Sequence, residues 1–242
     1  MTRPQAEAPA EHQPAAPRQA PRARYDGLAA WYDDVMTDPG DRRGLGTISF
    51  EIVAALLGPG SGTVLDLGTG TGLSAEPLRA AGYEPVGLDL SIDQLRIAAR
   101  RLPVAQADAA RLPLADDSVP AAYSTFVSSA LDDFAGAVAE VYRVLAPGGR
   151  YVPVCLHPCF DGNYAEKRAD GTVVQHPGYR DTGFAEPGHF ASTVRGKTGS
   201  WHRPLAAQLN TYLEAGFELL RVAEDGTDPL PNQLAFLLRK PI

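Results

Sequence analysis

The residues whose type and spacing most clearly suggest a chemical function are three alternating glycines that follow an apolar run. The run 64–67 indicates a buried strand, and Gly68, Gly70 and Gly72 follow it in a GxGxG spacing. Glycines at such a place let the main chain turn tightly, approach a bound group without a Cβ and start a helix close to the sheet. A dinucleotide-binding turn has the spacing GxGxxG, with its third glycine where this chain has Leu73. The pattern therefore indicates a nucleotide-binding turn with its own spacing.

Two acids stand at the ends of the next two predicted strands. Asp89 ends the first, close to the roughly 20-residue offset of a carboxylate that accepts both ribose hydroxyls. Asp108 ends the second, shorter strand. Between the two acids, Ser91 and Gln94 have the spacing of a capping box, which predicts the start of a helix. The acid at 89 suits either a dinucleotide or another nucleoside cofactor.

Taken in order, these segments resemble the class I S-adenosylmethionine (SAM) methyltransferases, of the small-molecule type related to the ubiquinone-biosynthesis methyltransferases. The resemblance is carried by the GxGxG turn, by 107–118 and by 140–150. It is close over 25–156 and looser over the last forty or so residues. It implies SAM as cofactor and transfer of a methyl group to oxygen, nitrogen or carbon of a small metabolite, such as a natural-product intermediate.

The order of the predicted elements favours an α/β fold, because apolar strands alternate with helical patterns. The resemblance implies a Rossmann-like, mainly parallel sheet of seven strands in the order 3-2-1-4-5-7-6, flanked by helices. Ligands then lie at the carboxyl ends of the strands. Pro77 falls inside the helix expected after the glycine turn, which predicts a kink or an irregular first turn there. A fourth strand is expected over 121–128, followed by a helix capped by Asp132 or Asp133. The Pro-Gly-Gly run 147–149 is expected to stop this helix, before a fifth strand over 150–156.

The resemblance also implies roles for individual residues at that edge of the sheet. Asp89 would accept from the ribose, Asp108 from the adenine amino group, and the N–H of Ala109 would meet the ring. Tyr32, in a leading segment that folds over the cofactor, would approach the methionine end. The full set implied for the cofactor is Tyr32, Asp66, Gly68, Thr69, Gly70, Gly72, Asp89, Leu90, Asp108 and Ala109.

Two histidines are candidate general bases for the acceptor. Histidine is the side chain best matched to removing a proton at neutral pH, as a hydroxyl or protonated amine acceptor requires. His157 directly follows the predicted fifth strand, and His202 lies beside Trp201 at the far end of a long connection. We predict that both reach the same cavity. For His157 the alternative is a loop histidine held by a backbone hydrogen bond.

The segment 157–203 is predicted to be a substrate-binding loop or insertion, because it is too long for an ordinary connection. Its mixture of aromatic and basic residues suits the wall of a pocket for an aromatic or acidic small molecule. Phe160 and Trp201, together with Tyr25 of the leading segment, are the candidate substrate-binding residues. The same composition would equally suit a core within the loop or a dimer contact, so a homodimer stays open.

Length and composition limit the classes of function. The 242 residues suit one α/β catalytic domain over 25–242, preceded by a disordered tail rich in Pro and Ala over 1–24. A net charge of −7 disfavours a nucleic-acid partner. The sequence has neither an apolar run long enough to span a bilayer nor an apolar signal core. Cys155 and Cys159 therefore indicate reduced thiols of a cytoplasmic protein without membrane association.

A metal site is not predicted. Cys155, His157 and Cys159 would alternate onto one strand face and are residue types that bind zinc. However, a spacing of two along one strand is not usual for zinc, Pro158 disrupts the strand, and no fourth ligand is evident.

Two rival functions stay open at this stage. An NAD(P)-dependent oxidoreductase would also use Asp89, but it leaves the GxGxG spacing and Asp108 without a reason, and the chain lacks an evident Tyr-x-x-x-Lys pair. A protein that binds SAM without methyl transfer is the second rival.

Overall fold

A computed structural model describes residues 23–37, 45–168, 170–188, 194–225 and 230–242. The predicted disordered tail, 1–24, lies outside these residues except for Ala23 and Arg24. Arg24 contributes to the site described below.

The described residues form eleven strands, seven α-helices and one 3-10 turn. The strands are β1 (Thr63–Leu67), β2 (Glu84–Asp89), β3 (Val104–Gln106), β4 (Val119–Thr125), β5 (Leu145–Leu156), β6 (Ala165–Lys167), β7 (Val173–Gln175), β8 (Gly183–Ala185), β9 (Ser200–His202), β10 (Glu218–Asp225) and β11 (Gln233–Arg239). The helices are α1 (Ala29–Thr37), α2 (Leu45–Leu57), α3 (Ala75–Ala80), α4 (Ile92–Ala98), α5 (Phe134–Val144), α6 (Val194–Thr198) and α7 (Leu205–Glu214), and the 3-10 turn is Val127–Ser129.

Seven of the strands make one sheet in the order β3-β2-β1-β4-β5-β11-β10. Strands β1 to β5 are parallel, and β11 and β10 add an antiparallel edge. Numbered among these seven strands alone, the order is 3-2-1-4-5-7-6, so the predicted fold is confirmed. The chain builds outward in both directions from β1 and β4, and this switch of direction leaves a crevice at their carboxyl ends.

Two apolar layers cover the sheet, because its central strands carry apolar side chains on both faces. In β1, Leu65 and Leu67 pack in one cluster with Val138 of α5. Val64, which precedes Leu65 and points to the opposite face, packs in the other cluster with Val53 of α2. Such continuous apolar strands are typical of parallel sheets, and burying each large side chain stabilises the fold by about 1.5–3 kcal/mol. The central strands are therefore rigid supports for the residues at their ends.

The sequence left two possibilities open for the start of α3 and two for the cap of α5, and the structure distinguishes them. Helix α3 begins at Ala75, so Pro77 lies in its first turn, where its missing N–H costs no helical hydrogen bond. Of the two predicted outcomes, the irregular start is the observed one, since residues 73–74 form a turn before the helix. Helix α5 is capped by Asp133, whose carboxylate accepts from the N–H of Gly136 at 2.9 Å.

Two predicted boundaries at β4 and β5 are wrong. Strand β4 ends at Thr125 instead of 128, because Phe126 has a φ of 60° in the left-handed region and turns the chain away from the sheet. Helix α5 ends at Val144, and β5 begins at Leu145, before the Pro-Gly-Gly run expected to stop the helix.

The segment 157–203, predicted as a loop or insertion, has secondary structure of its own. It contains the hairpin β6–β7, the hairpin β8–β9 and the short helix α6. Strand β9 lies beside the 3-10 turn that follows β4. The segment therefore covers the carboxyl end of the sheet at β4.

We predict that Gly72→Ala destabilises the protein more than Gly62→Ala. Both glycines have a φ near +78°, which alone costs an alanine about 1–2 kcal/mol. A Cβ on Gly72 would lie 2.5 Å from Leu102 Cδ2, whereas a Cβ on Gly62 would meet no atom within 4 Å. We expect a total loss of about 2–4 kcal/mol for Gly72→Ala, because overpacking adds to the backbone cost. Urea unfolding of both variants measures the difference, and equal losses would contradict the packing argument.

Candidate functional site

The three glycines of the turn after β1 have distinct surroundings, although all have positive φ. A Cβ on Gly68 would lie 2.2 Å from Val127 Cγ2, and one on Gly72 would overlap Leu102. A Cβ on Gly70 would meet no atom closer than 3.7 Å. Gly68 and Gly72 therefore allow close packing, while Gly70 presents bare main chain to open space.

Asp89, the last residue of β2, faces this turn. One carboxylate oxygen accepts the N–H of Gly70 at 2.8 Å, and the other accepts the N–H of Ser91 at 2.8 Å. Burial raises the pKa of Asp89 above its ordinary value, and these N–H groups partly offset that effect. The carboxylate is therefore fixed where the turn, β2 and α4 meet.

A cavity of about 630 Å³ opens at this point and extends along the carboxyl ends of the strands. One half is bounded by Gly68 and Gly70, by the ends of β2 and β3, and by the leading segment. The predicted cofactor residues that line this half are Tyr32, Gly68, Gly70, Asp89, Leu90, Asp108 and Ala109. The other half is formed by the residues after β4 and by the hairpin β8–β9, and it includes Phe126, Phe184 and Trp201.

The leading segment 23–37 closes the first half from above. Tyr25 and Tyr32 both line the cavity and contact each other edge to face, with ring centroids 5.6 Å apart. Burial raises the pKa of each phenol above its ordinary value, so both stay neutral near pH 7. The predicted placement of these tyrosines as a lid over the turn agrees with this geometry.

Polar contacts attach the leading segment to α4 and to the connection that follows it. Ser91 Oγ donates to Asp26 Oδ1 at 2.6 Å, and Asp93 accepts the N–H of Gly27 at 2.8 Å. Arg101 donates to both carboxylate oxygens of Asp33, at 2.6 and 2.9 Å. Hydrogen bonding from Arg101 lowers the pKa of Asp33, so the pair is ionised over the neutral range. The lid is thus held along its length.

The second half of the cavity has a wall of aromatic side chains, and the polar groups at its edge are hydrogen-bonded to one another. Asp132 Oδ1 accepts both the indole N–H of Trp201, at 2.9 Å, and the guanidinium of Arg24, at 2.5 Å. The Arg24 guanidinium lies 4.4 Å from the ring centroid of Phe184, and Phe184 lies 5.5 Å from Trp201. Cation–π contact and ring packing hold this wall together.

Arg203 fixes the 3-10 turn against that wall. Its guanidinium donates to the carbonyl oxygens of Ser128 at 2.5 Å and Leu131 at 2.6 Å, and it lies over the rings of Phe134 and Trp201. Burial lowers the pKa of Arg203 to about 10, which still leaves it charged at neutral pH. Sequence reasoning did not single out Arg203.

Asp66, Thr69 and Gly72, all predicted to bind the cofactor, are not among the residues lining the cavity. The Asp66 carboxylate is 1% exposed and accepts from the hydroxyls of Thr69 at 2.7 Å and Ser74 at 2.5 Å. Burial raises the pKa of Asp66 to about 6. These residues brace the turn from behind, and we correct their predicted role to support of the main chain.

His157 does not line the cavity, contrary to prediction. Its ring is 2% exposed, with Nε2 lying 2.7 Å from Glu224 Oε1 of β10 and Nδ1 accepting the N–H of Cys159 at 3.2 Å. Both ring nitrogens are used in local bonds, so neither can take a proton from a molecule in the cavity. Of the predicted alternative, a loop histidine held by a backbone hydrogen bond, the backbone bond is observed, but the partner of Nε2 is a carboxylate on β10.

His202 and Phe160 also lie away from the cavity. His202 Nε2 donates to the carbonyl oxygen of Tyr179 at 2.8 Å, and its ring packs edge to face against Tyr164. Burial lowers the pKa of His202 and favours its neutral form. Phe160 packs against the ring of His157 at 4.6 Å. All three predicted residues belong to the core of segment 157–203, because their nearest partners are within that segment or on β10.

Gln94 is a cavity residue for which the sequence pattern predicts only a capping role. Ser91 Oγ accepts the N–H of Gln94 at 3.3 Å, as expected for the cap. The returning half of the capping box is missing, because among the described residues the Gln94 carboxamide has no hydrogen-bond partner. The side chain lines the cavity instead.

Two features, a membrane-spanning helix and a cluster of metal ligands, are absent from the described ranges. No helix in this part of the chain has the length and apolar character needed to cross a membrane. Nor do any three His, Cys, Asp or Glu side chains there lie in an arrangement able to hold a metal ion.

Comparison with known proteins gives consistent matches. Residues 65–152 match a family model described as "Methyltransferase domain". A demethylmenaquinone methyltransferase from Renibacterium salmoninarum is 35% identical over 150 residues, which are 57% of this chain and 62% of that protein. One from Corynebacterium kroppenstedtii is 33% identical over 168 residues, 66% of this chain and 72% of that protein. An S-adenosylmethionine dependent methyltransferase structure from Mesorhizobium loti superimposes with a TM-score of 0.66 at 24% identity, covering 78% of this chain and 96% of that one.

The buried Asp66 predicts a specific pH dependence of stability. Its pKa is about 6 in the folded protein against an ordinary 3.8, so its contribution is fully present below about pH 3.8 and is lost as pH rises through 6. The loss amounts to about 3 kcal/mol. Asp66→Asn does not titrate, so we expect the wild-type minus variant difference in unfolding free energy to fall by about that amount between pH 4 and 7. Urea unfolding across this range measures it, and a constant difference would refute the prediction.

His157→Ala should destabilise the fold without weakening the site. We expect a loss of about 2–4 kcal/mol in urea unfolding, because the variant loses ring packing on Phe160 and two hydrogen bonds. Ligand affinity of the cavity and turnover should stay within about threefold of wild type. His176→Ala, which removes an exposed histidine paired with Glu166, is the matched control. A tenfold fall in turnover of a folded His157 variant would restore this residue as a general base.

Proposed function

This chain belongs to the SAM-dependent methyltransferase family that includes the demethylmenaquinone methyltransferases, and we propose that it transfers the methyl group of SAM to a small aromatic acceptor. The chain spans 62% of the length of the first relative, so the relatives' activity is carried over here as a proposal. The observation that carries it is the junction of Gly70 and Asp89 at the edge of the cavity.

The residues of the first half of the cavity fit a nucleoside cofactor. The bare main chain at Gly70 leaves room for close approach, and the buried Asp89 carboxylate can accept further hydrogen bonds from sugar hydroxyls. We assign the adenine to the region of Leu90, Asp108 and Ala109, and the methionine end to Tyr32. When bound, SAM supplies an electrophilic methyl group on its sulfonium.

The chain's own residues then have two tasks, to orient the acceptor and to exclude water. Orientation falls to the aromatic wall of Phe126, Phe184 and Trp201. Arg24 of this rim is paired with Asp132, and on this pairing we favour a neutral aromatic molecule over an acidic one. Exclusion of water falls to Tyr25 and Tyr32 in the lid.

The acceptor in this proposal needs no histidine base. Neither His157 nor His202 is among the residues that line the cavity. An electron-rich ring carbon is nucleophilic without such a base, and after methyl transfer the ring loses the proton of that carbon to solvent. The relatives named demethylmenaquinone methyltransferase act, by that name, on demethylmenaquinone.

The cellular setting is part of the same proposal. The two cysteines are free thiols, with Cys155 buried against the carbonyl oxygen of Leu234, which suits the reducing cytoplasm. The net charge of −7 supports a small molecule over a nucleic acid as partner. A homodimer stays a prediction.

S-adenosylhomocysteine, the demethylated product, should stabilise the protein while NAD and NADP should not. At 100 times its Kd, the product adds about 2.7 kcal/mol to the free energy of unfolding, or roughly 5–10 °C in Tm. Asp89→Ala should lower the affinity at least tenfold, because charge-assisted hydrogen bonds are lost. Asp116→Ala, which removes a carboxylate that is 73% exposed and paired with Arg143, is the matched control.

Thermal melts with each nucleotide make the measurement. Equal stabilisation by NAD would favour the oxidoreductase and end the proposal. Stabilisation by the product without labelled methyl transfer to any hydroxylated aromatic acceptor would favour the rival that only binds SAM.

A further inference from the structure

The carboxamide of Gln94 is the buried polar group of the cavity that the proposed function has not used. Gln94 is 1% exposed, and neither Nε2 nor Oε1 has a hydrogen-bond partner among the described residues. A buried amide left in this state destabilises a folded protein, since water would have satisfied both atoms in the unfolded chain. We therefore expect a buried amide of this kind to have a function that offsets its cost.

Buried glutamines elsewhere in the described structure do have partners. Gln233 is fully buried, and its Oε1 accepts the hydroxyl of Ser49 at 2.9 Å. Gln208 is 5% exposed, and its Nε2 donates to the carbonyl oxygen of Arg203 at 3.0 Å. Gln94 thus differs from both in having neither atom satisfied.

The position of Gln94 shows what its carboxamide faces. It lies in the first turn of α4, three residues after the Ser91 cap, and it lines the cavity. A Cβ placed on Gly70 would lie 3.7 Å from Gln94 Oε1 and 3.7 Å from Tyr32 Cε1. The amide, the phenol ring and the bare main chain therefore converge on one small volume beside Asp89.

We infer that the Gln94 carboxamide binds the nucleoside portion of SAM, next to the groups that Asp89 holds. The inference rests on the proposed function, because it assigns the ligand of the same cavity. A carboxamide can donate and accept at once, which matches the hydroxyls of a sugar. The amide has no hydrogen-bond partner among the described residues, so binding forms hydrogen bonds without breaking any within this part of the protein.

The test is Gln94→Met, which keeps the length of the side chain and removes both polar atoms. Titration calorimetry with S-adenosylhomocysteine should show a Kd weakened by roughly 5- to 30-fold, the factor for one or two hydrogen bonds. The ligand-free variant should melt no lower than wild type, because the amide forms no hydrogen bond with the described residues that the substitution could remove. Gln94→Leu is a second variant with the same expected signs.

Leu95→Met is the matched control. Leu95 is the next residue of the same helix, is 4% exposed and packs away from the cavity. We expect it to change neither the Kd nor, beyond a degree or two, the melting temperature.

Methylthioadenosine, which has the nucleoside but not the amino-acid end, locates the contact. Equal weakening for both ligands in the Gln94 variants supports the inference. Weakening for S-adenosylhomocysteine alone would move the contact to the amino-acid end and overturn it, as would an unchanged Kd or a lower melting temperature of the free variants. If the wild type binds neither ligand, it is the proposed function that fails.

Discussion

Asp89 accepts the N–H of Gly70 with one carboxylate oxygen and the N–H of Ser91 with the other. The first bond joins the glycine turn to the end of β2, and the second joins β2 to the start of α4. Both donors are main-chain groups, so the junction depends on backbone geometry and on the left-handed φ at Gly70. Burial disfavours the ionised form of this carboxylate, and each N–H group that donates to it favours that form. The ligand-binding half of the cavity is built around this one side chain.

The leading segment extends this junction to the other half of the cavity. At one end Arg101 pairs with Asp33 and also donates to the carbonyl oxygen of Thr71 in the glycine turn, at 2.7 Å. At the other end Arg24 pairs with Asp132 in the acceptor wall. A single stretch of chain therefore contacts both halves.

The sequence predicts the elements around the glycine turn better than the surroundings of His157. The glycine turn and the position of Asp89 at the end of β2 follow from local patterns, because apolar runs and short motifs act within a few residues of one another. The strand order is implied only by the resemblance to the methyltransferase family. The position of His157 does not, since it depends on Glu224, which is 67 residues away on β10. The end of β4 depends on one left-handed residue, Phe126, which no propensity indicates. Gln94 fits the spacing of a capping box, and this local pattern does not predict that its side chain lines the cavity.

The acceptor wall differs from the cofactor half in how it is assembled. Its rim joins residues from three separate stretches of chain, Arg24, Asp132 and Trp201, and their charges and donors satisfy one another. Under the proposed function, selection of an acceptor then depends on the shape and the ring surfaces of the wall, because the polar groups of the rim bond one another. The segment 157–203 supplies Phe184 and Trp201, whereas the glycine turn, Asp89 and Gln94 lie outside it. Under the proposed function, we therefore expect changes in this segment to alter the acceptor without altering the glycine turn, Asp89 or Gln94.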